Sequence, residues 1–564
     1  MSRNACRFLR PYLSRGFEPT TKSEHAQLYC SIQRRFAQTL AEDIHTSPSS
    51  SHDVEKRLAQ LKKAGHLRGY HPRLKERPGI ERLTPKAFHD AYKTVQDTKK
   101  DMMVEIFGRV RSLRLAGSKL AFIDIERQDG KVQGYCDFKV LADHGVTAAQ
   151  FRQFKQMARK GDWFSITGHP TRTTSGELSI LVTELPQALS PSLHQIPSTI
   201  DDPETLMRHP HVHQLINRQR GDILRLRSHI YQLLQTFFVQ DGFIQVETPM
   251  FDAGAGGAIA RPFETAATEL SNTTLRLRIA PELYLKRLVI AGNEKVFELG
   301  RVFRNEGVDA THNPEFTICE FYEVGAHLED LISKTERLLR QMAAMVQELK
   351  TTQLTSLSPP DIDFSSPFQR LPFIPTIESA INRSLPDLSS PTAQTELLSL
   401  FSELNITPPT NPILSRLLDT LAELYIEPLC TVPTFITHHP EPLSPLSKSY
   451  LDPTTNQLVS ARVELFIHGR EYVNAYEEEN SPFEQRRKFE QQLEYQQGKA
   501  EAGVSVDESY IEALEWGMPP TGGWGCGVDR LVMLFSGCRR IADVLPFGTL
   551  RNIVAIAGNG RRGV

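Results

Sequence analysis

The sequence predicts an α+β protein, with a small β-barrel preceding one large mixed domain. Three observations carry that prediction. Five short segments between residues 104 and 183 alternate apolar and polar side chains, and Phe151–Lys160, between the third and fourth, has helical period. Gly221–Gln240 is a strongly amphipathic helix that runs into an extended segment, Gly242–Pro249. The rest of the chain to Val564 continues as strands, loops and helices, and 564 residues exceed what one hydrophobic core organises.

The elements follow in order. Arg3, Arg7, Arg10 and Arg15 precede the first acid, Glu18, with Phe8, Leu9, Tyr12, Leu13 and Phe17 interleaved. An arginine-rich, acid-poor amphipathic start predicts a mitochondrial transit peptide over residues 1–40, and so a matrix location; a disordered basic tail is the alternative. His45–Ser51 is a serine-rich linker, and Val54–Gly65 has helical period with a glycine stop. Asp53 to Lys100 carries 13 Lys/Arg against 6 Asp/Glu. Residues 41–100 therefore form a basic helical extension, presenting either a solvated face or a nucleic-acid contact surface.

Residues 101–190 hold the alternating segments Val104–Val110, Leu120–Ile125, Lys131–Cys136, Asp162–Gly168 and Glu177–Thr183. Five strands with a helix between the third and fourth is the layout of an OB-fold, a frequent oligonucleotide binder. Residues 191–564 form the large domain, with a helical insertion expected around 350–445, where proline, serine and threonine are dense and periodicity is weak. No apolar run approaches the roughly 18–20 residues that span a bilayer, which argues against an integral membrane protein. The 7 cysteines are scattered without a Cys-x-x-Cys pair, so neither a zinc site nor a disulfide framework is expected, and a reducing compartment fits. A net charge of −2 permits a local basic face but not a general polyanion binder.

The chemistry concentrates in two stretches. Phe303–Thr317 sets Arg304, three acids, His312 and Phe316 around a short polar loop, an inventory that grips a nucleoside triphosphate without a glycine-rich phosphate loop. Gly523–Trp524–Gly525–Cys526–Gly527–Val528–Asp529–Arg530 adds a second arginine after a run of glycines. Together these stretches resemble motifs 2 and 3 of the class II aminoacyl-tRNA synthetases, and the residues around them resemble the lysyl-tRNA synthetases. Gly242–Pro249 with its preceding helix stands where motif 1 belongs, although alone it reads only as a strand with an edge proline.

The resemblance implies an antiparallel-sheet catalytic domain, ATP as substrate, Mg2+ as cofactor and a homodimer built on motif 1. It makes Arg304 and Arg530 the catalytic pair. Arg304 holds the α-phosphate and the amino-acid carboxylate, a role for a planar, permanently charged fork. Glu306, His312 and Asn313 order the loop around ATP. Phe316 stacks on adenine, and Arg530 covers the opposite face and reaches the γ-phosphate.

Glu464 and Glu471 flank a hairpin turn expected at His468–Gly469. A two-residue turn pairs Phe466 with Glu471 and places the two carboxylates about 7 Å apart on one face, close enough to share a hard cation. By resemblance these acids hold Mg2+ against the ATP phosphates. Strict parity, however, sends Asn474, Tyr476 and Glu478 to the opposite face. One pocket containing both sets requires a bulge or strong twist near Tyr472–Val473.

A lysine pocket wants carboxylates opposite a compact ammonium. In Ile279–Arg287, in Glu320 and Tyr322, and in Asn474, Tyr476 and Glu478 the resemblance supplies them. Glu320 and Glu478, with Tyr322, are expected to face the ε-ammonium. Glu282 and the backbone at Gly257, in a flexible loop (Gly256–Phe263), are expected to take the α-amino group, and Asn474 to assist the carboxylate. In the barrel, Phe122 would stack on an anticodon base and Gln133 read an edge, with Glu184 a further contact; without the resemblance Phe122 would be core. The expected partners are L-lysine, ATP and tRNA(Lys), and the expected reaction is ATP-dependent lysine activation followed by transfer to the tRNA 3′ end.

Two departures, Ala461–Arg462–Val463 before Glu464 and Met207–Arg208–His209–Pro210, bear on fine contacts rather than on the core reaction. An aspartate or asparagine enzyme of the same class would need a cation for the side-chain carboxylate or amide contacts, against the acids found here. A non-catalytic synthetase-like tRNA-binding protein would be expected to lack Arg304, Arg530 or the metal acids. Relatives that modify a protein lysine lack the OB domain.

Overall fold

The computed structural model describes residues 52–65, 67–253, 260–270, 273–496 and 506–557. The transit segment expected over 1–40 and Gly257, with residues 256–259 of its loop, lie outside the described residues. The chain divides into two compact units, 1–197 and 198–564.

In the first unit α1 (His52–Ala64) buries Val54, Arg57 and Leu61, and Gly65 follows it. Arg57 does not belong to a solvated face: it meets Asp162 at 2.8 Å, and both side chains are almost fully buried. Asp162 also accepts from the amides of Ser192 (2.7 Å) and Arg159 (3.0 Å), so the charge is not left to a single partner. Removing one member of such a pair typically costs about 3–5 kcal/mol.

After β1 (Glu81–Arg82) comes α2 (Pro85–Tyr92), whose first turn is set by the Thr84 hydroxyl accepting from the Ala87 amide at 3.2 Å and by proline at its start. Phe88 and Tyr92 on this helix pack into the barrel core, so residues 81–92 belong to the barrel rather than to a separate extension. The barrel continues through β2 (Val104–Ala116), β3 (Leu120–Arg127), β4 (Gly130–Asp137), α3 (Phe138–Asp143), α4 (Ala148–Met157), β5 (Trp163–Arg172), β6 (Leu178–Val182) and β7 (Gln187–Ser190). Strand order is β1-β2-β3-β4-β6-β5-β7, and a β2–β5 pairing closes it. The five expected strands and the helix between the third and fourth are present; β1 and β7 are too short to show a period in sequence. Ile106, Ile123, Ile125, Ile166 and Ile180 fill the interior, the alternate residues of each strand facing out.

The second unit opens with α5 (Pro203–Arg208), α6 (Pro210–Ile216) and α7 (Arg218–Gln240). Next come β8 (Ile244–Gln245), β9 (Phe251–Asp252), β10 (Glu264–Thr265), β11 (Leu275–Leu277), α8 (Glu282–Ile290), β12 (Lys295–Phe303), β13 (Glu315–Val324) and α9 (Leu328–Thr352). Of the extended segment Gly242–Pro249 only β8 is a strand. The chain then forms β14 (Gln369–Pro372), α10 (Phe373–Ile381), α11 (Ala393–Glu403), α12 (Leu414–Tyr425), β15 (Thr434–Pro440), β16 (Ser449–Leu451), β17 (Leu458–Ile467) and β18 (Arg470–Glu477). It ends with α13 (Pro482–Gln496), α14 (Glu508–Glu515), β19 (Thr521–Gly527), α15 (Val528–Ser536), α16 (Ile541–Val544) and α17 (Leu550–Ala557).

A nine-stranded, largely antiparallel sheet runs β14-β15-β17-β18-β19-β13-β12-β8, with β16 added to β17. One face packs on α7 and α9 through an aromatic cluster in which Phe238 lies 5.1 Å from Phe321, and Phe321 stacks on Trp524 at 5.2 Å. Residues one position away along β13, β18 and β19 point to the other face. The region around 350–445 holds three helices, α10–α12, with their own core of Phe373, Leu397, Phe401 and Leu417. It is not wholly an insertion, since β14 and β15 within it are strands of the main sheet. No helix among the described residues is long and apolar enough to cross a membrane.

Candidate active site

The open face of the sheet carries a cavity of about 560 Å³ whose floor is β19. Gly525 sits between Glu320 of β13 and Asn474 of β18, and Gly523 between Tyr322 and Tyr476. Because side chains alternate along each strand, these six positions share one face. The glycines leave a trough, and the neighbouring strands supply its walls. Glu282, at the start of α8, also lines it. Glu478 follows β18, and its Oε1 occupies the space into which a Gly523 side chain would point; this buried oxygen has no hydrogen-bond partner among the described residues.

The acids of the trough are not independent. Burial and the neighbouring Glu282 push the Glu320 carboxyl up to about 8, against the opposing pull of Arg304, and the Tyr322 hydroxyl donates to it at 3.3 Å. Burial likewise holds the Glu478 carboxyl well above its ordinary value. Tyr476 donates to Glu282 at 2.6 Å.

Above the trough, β12 and β13 carry the loop of residues 304–314. Arg304 donates to the Ile279 carbonyl at 3.4 Å, and its guanidinium stands 5.3 Å from the centre of the Phe316 ring. The aromatic expected beneath adenine is thus covered by the arginine expected on the α-phosphate. Asp309 organises the loop tip. It accepts from the amides of Thr311 (2.6 Å) and His312 (2.8 Å) and from the His312 ring (2.9 Å), and the Thr311 amide first among these contacts holds its carboxyl well below the usual range. Asn313 anchors the loop to α17 by accepting from the Leu550 amide at 3.0 Å. Glu306 lines the cavity. Asp309 is the residue that sequence reasoning missed, although Asp-x-Thr-His is a recognisable side-chain-capped turn.

Arg530, in the first turn of α15, donates to the Glu471 carbonyl at 2.8 Å and to the His312 ring at 3.2 Å. Its helix is fixed by the preceding residue. Asp529 is buried, pairs with Arg227 of α7 and accepts from the Thr317 amide at 2.8 Å, while Arg227 reaches the Thr317 hydroxyl at 3.0 Å. Helices α7 and α15 and strand β13, distant in sequence, are locked together beneath the nucleotide loop.

The hairpin holds the two acids expected to bind metal. Positive φ at His468 (52°) and Gly469 (66°) gives the expected two-residue turn, and Ile467 pairs with Arg470. Phe466 pairs with Glu471 but Leu465 with Val473, so Tyr472 is an extra residue on β18. This is the bulge that parity demands. It brings Glu471 onto the face of Asn474 and Tyr476, with Glu464 directly opposite Asn474. Glu471 lines the cavity, and burial and the charge of Glu464 raise its carboxyl. Glu464 is engaged by Arg462 and, at 3.1 Å, by the His439 ring, and the Arg462 charge with the His439 hydrogen bond holds its carboxyl down against burial, which also lowers the His439 pKa. Arg462 also donates to the Asn474 side chain at 2.9 Å, which fixes that amide toward the trough. Two carboxylates on one face suit a magnesium ion, which takes one or two protein carboxylates and completes its shell with phosphate oxygens.

In the first unit, Phe122 of β3 is half-buried on the outer barrel face. It stacks on Tyr135 of β4 at 5.4 Å and 16°, and Arg114 of β2 lies over it at 6.0 Å. An arginine and two aromatics across three strands form a platform of the kind on which single-stranded bases stack. Gln133 shares that face, but it is buried, donating to Glu177 at 2.9 Å and accepting from Ser179 at 3.2 Å. Glu184 is half-buried and meets Arg77 at 2.5 Å. Tyr135 was not singled out by sequence because an aromatic on a strand ordinarily reads as core.

Residues 202–551 match the family model for tRNA synthetases class II (D, K and N), and residues 104–186 match the OB-fold nucleic acid binding domain. The chain is 40% identical over 454 residues to "Lysine--tRNA ligase, mitochondrial" of Schizosaccharomyces pombe, covering 79% of this chain and 84% of that one. It is 38% identical over 478 residues to "Lysine--tRNA ligase cla4" of Cladosporium cladosporioides, covering 81% and 77%. It is 37% identical over 466 residues to "Probable lysine--tRNA ligase, cytoplasmic" of Enterocytozoon bieneusi, covering 80% and 88%.

Proposed function

The chain belongs to the class II tRNA synthetases of the D, K and N group, and from that premise we propose that it is a lysine–tRNA ligase acting in mitochondria. The observation that carries the amino-acid choice is the trough, lined by Glu282 and Glu320, with a buried Glu478 oxygen that has no hydrogen-bond partner among the described residues lying where a Gly523 side chain would point. A dicationic amino acid satisfies this arrangement, whereas aspartate would add a further carboxylate. The cation closest to these acids, Lys286, is already engaged by Glu282 and Glu478.

Arg304 holds the lysine carboxylate against the α-phosphorus of ATP. The carboxylate attacks in line, pyrophosphate leaves, and lysyl-adenylate remains in the trough. A hydroxyl of the terminal adenosine of tRNA(Lys) then attacks the acyl carbon and AMP leaves. No protein nucleophile is required, since positioning and fixed charges supply the acceleration. Phe316 and Arg530 grip the adenine from its two faces. Glu464 and Glu471 would hold Mg2+, which when bound neutralises phosphate charge. ATP–pyrophosphate exchange measured with each amino acid tests the reading; exchange driven by aspartate or asparagine, or none driven by lysine, sinks it.

The barrel holds the anticodon through Phe122 and its stacking partner Tyr135, with Glu184 a further contact, while Gln133 is committed to Glu177 and Ser179. Phe122→Ala is expected to spare exchange and to raise the KM for tRNA about 10- to 100-fold, since one stacked base is worth about 1–3 kcal/mol. Normal charging by that variant would move the anticodon surface elsewhere. Support for a homodimer comes from β8, which among the described residues pairs on one side only, and from the exposed side chains of Val239, Ile244 and Phe251 nearby in sequence. The mitochondrial location rests on the arginine-rich start and on the S. pombe relative's name. A reporter fused to residues 1–40 is expected to enter mitochondria, and cytosolic retention would refute it.

A further inference from the structure

Lys286, on α8, is completely buried at the back of the trough. Its ammonium lies 2.6 Å from Glu282 and 2.5 Å from Glu478, and the rings of Tyr322, Tyr476 and Tyr510 surround it at 5.7–5.9 Å. The pair Glu282/Lys286 is an i,i+4 contact on one helix, whereas Glu478 arrives from beyond β18. Nothing in the two-step reaction uses this lysine. It contacts two of the three acids that the substrate must meet.

We propose that Lys286 is a specificity-determining positioning residue, a built-in cation that cancels one of three trough carboxylates and so leaves a net charge of −2 for the two ammonium groups of lysine. This rests on the proposed function and deepens it. Three carboxylates converging without a cation could not all ionise in a low-dielectric trough. With Lys286 in place, Glu282 and Glu478 keep fixed orientations, each using one oxygen on the internal ammonium. Glu478 Oε1, which takes the space beside Gly523, and the cavity-lining Glu320 carboxyl then remain for the incoming amino acid. The charge count also accounts for selectivity: an aspartate would bring one ammonium and two carboxylates to a site with a deficit of two positive charges.

The groups facing the cluster are Glu282 on α8 itself, Glu320 and Tyr322 on β13, Tyr476 and Glu478 on and after β18, and Tyr510 on α14, with Arg304 and Glu298 acting on Glu320. Before substrate enters, burial keeps Glu320 protonated up to about pH 8. An ammonium opposite it favours the carboxylate. Lysine binding therefore releases protons near neutral pH, and affinity rises as pH climbs toward 8. Deleting the internal cation raises the neighbouring carboxyls further, which moves that rise to higher pH.

The test compares Lys286→Met with Lys286→Arg in the full-length enzyme, by lysine-dependent ATP–pyrophosphate exchange across pH 6–9. For Lys286→Met we expect the lysine KM at pH 7 to rise about tenfold or more, the ATP KM to stay within about twofold, and the rise of kcat/KM for lysine to shift upward by about one pH unit. Lys286→Arg should keep the wild-type pH profile. An unchanged profile in Lys286→Met, or the same shift in both variants, overturns the proposal. Should Lys286→Met fail to fold, calorimetry of lysine binding to wild type at pH 7 in buffers of different ionisation enthalpy decides. Protons released support the proposal and none released overturns it. Absence of lysine-dependent exchange in the wild type would instead overturn the ligase reading itself.

Discussion

Arg304→Ala is expected to abolish lysine-dependent ATP–pyrophosphate exchange, with a loss in kcat/KM of about 1,000-fold or more while the fold is retained. Among the described residues the side chain meets the Ile279 carbonyl and the Phe316 ring and makes no close ion pair, so its removal opens no buried salt bridge, although the Glu320 carboxyl loses a cation that opposes its upward shift. Its contribution lies in the reaction. It is the cation placed to meet both the developing charge on the α-phosphate and the carboxylate that attacks it. A single preorganised donor at a developing anion is worth about 100- to 1,000-fold, and this arginine also aligns the nucleophile. Arg304→Lys should recover little, because a point charge cannot bridge two anions as a planar fork does. Pre-steady-state adenylate formation separates the effect from weakened binding. Adenylate formed at a rate near wild type by the alanine variant would remove Arg304 from the mechanism.

What the sequence shows of this site depends on how local each contact is. The His468–Gly469 turn is legible because a two-residue hairpin fixes register, and the Tyr472 bulge is legible as a contradiction. Parity could not put Glu471 with Asn474 unless one residue was extra, and the pairing Phe466–Glu471 against Leu465–Val473 supplies it. The lock between Arg227, Thr317 and Asp529 was not legible, since its members lie up to 302 positions apart and each reads alone as an ordinary charged or polar residue. Arg462 falls between these cases. The sequence marks it as a departure, but only the fold reveals that it holds both Glu464 and Asn474. In the barrel, the strands are visible by period, whereas β1 and α2 read in sequence as part of the basic extension, because two residues of strand carry no pattern and Phe88 on a short helix points nowhere until the core is known. Burial of Gln133 is equally invisible in sequence, because nothing local announces Glu177 and Ser179 as its partners.

Gly523→Ala should be the most damaging single methyl in the chain for lysine binding, raising the lysine KM about 100-fold or more. A methyl at this position would fall within the Glu478 carboxylate and 2.7 Å from the Tyr322 ring. Neither neighbour has slack. Glu478 is held by Lys286, and Tyr322 is packed in the core beneath α8. The carboxylate must therefore turn away from the trough, so that one methyl both fills the space for the substrate and removes its counter-charge. Gly525→Ala provides the contrast. Its methyl meets Glu320 at 3.4 Å, an ordinary contact at the edge of tightness, and a loss of about tenfold or less is expected. The ATP KM should change little in either variant, since Arg304, Phe316 and Arg530 are reached from β12, β13 and α15 rather than through the floor. Equal losses for the two alanines would mean that these glycines serve strand packing alone. A selective loss at Gly523 would place the end of the lysine side chain between Tyr322 and Tyr476, where β19 carries no side chain of its own.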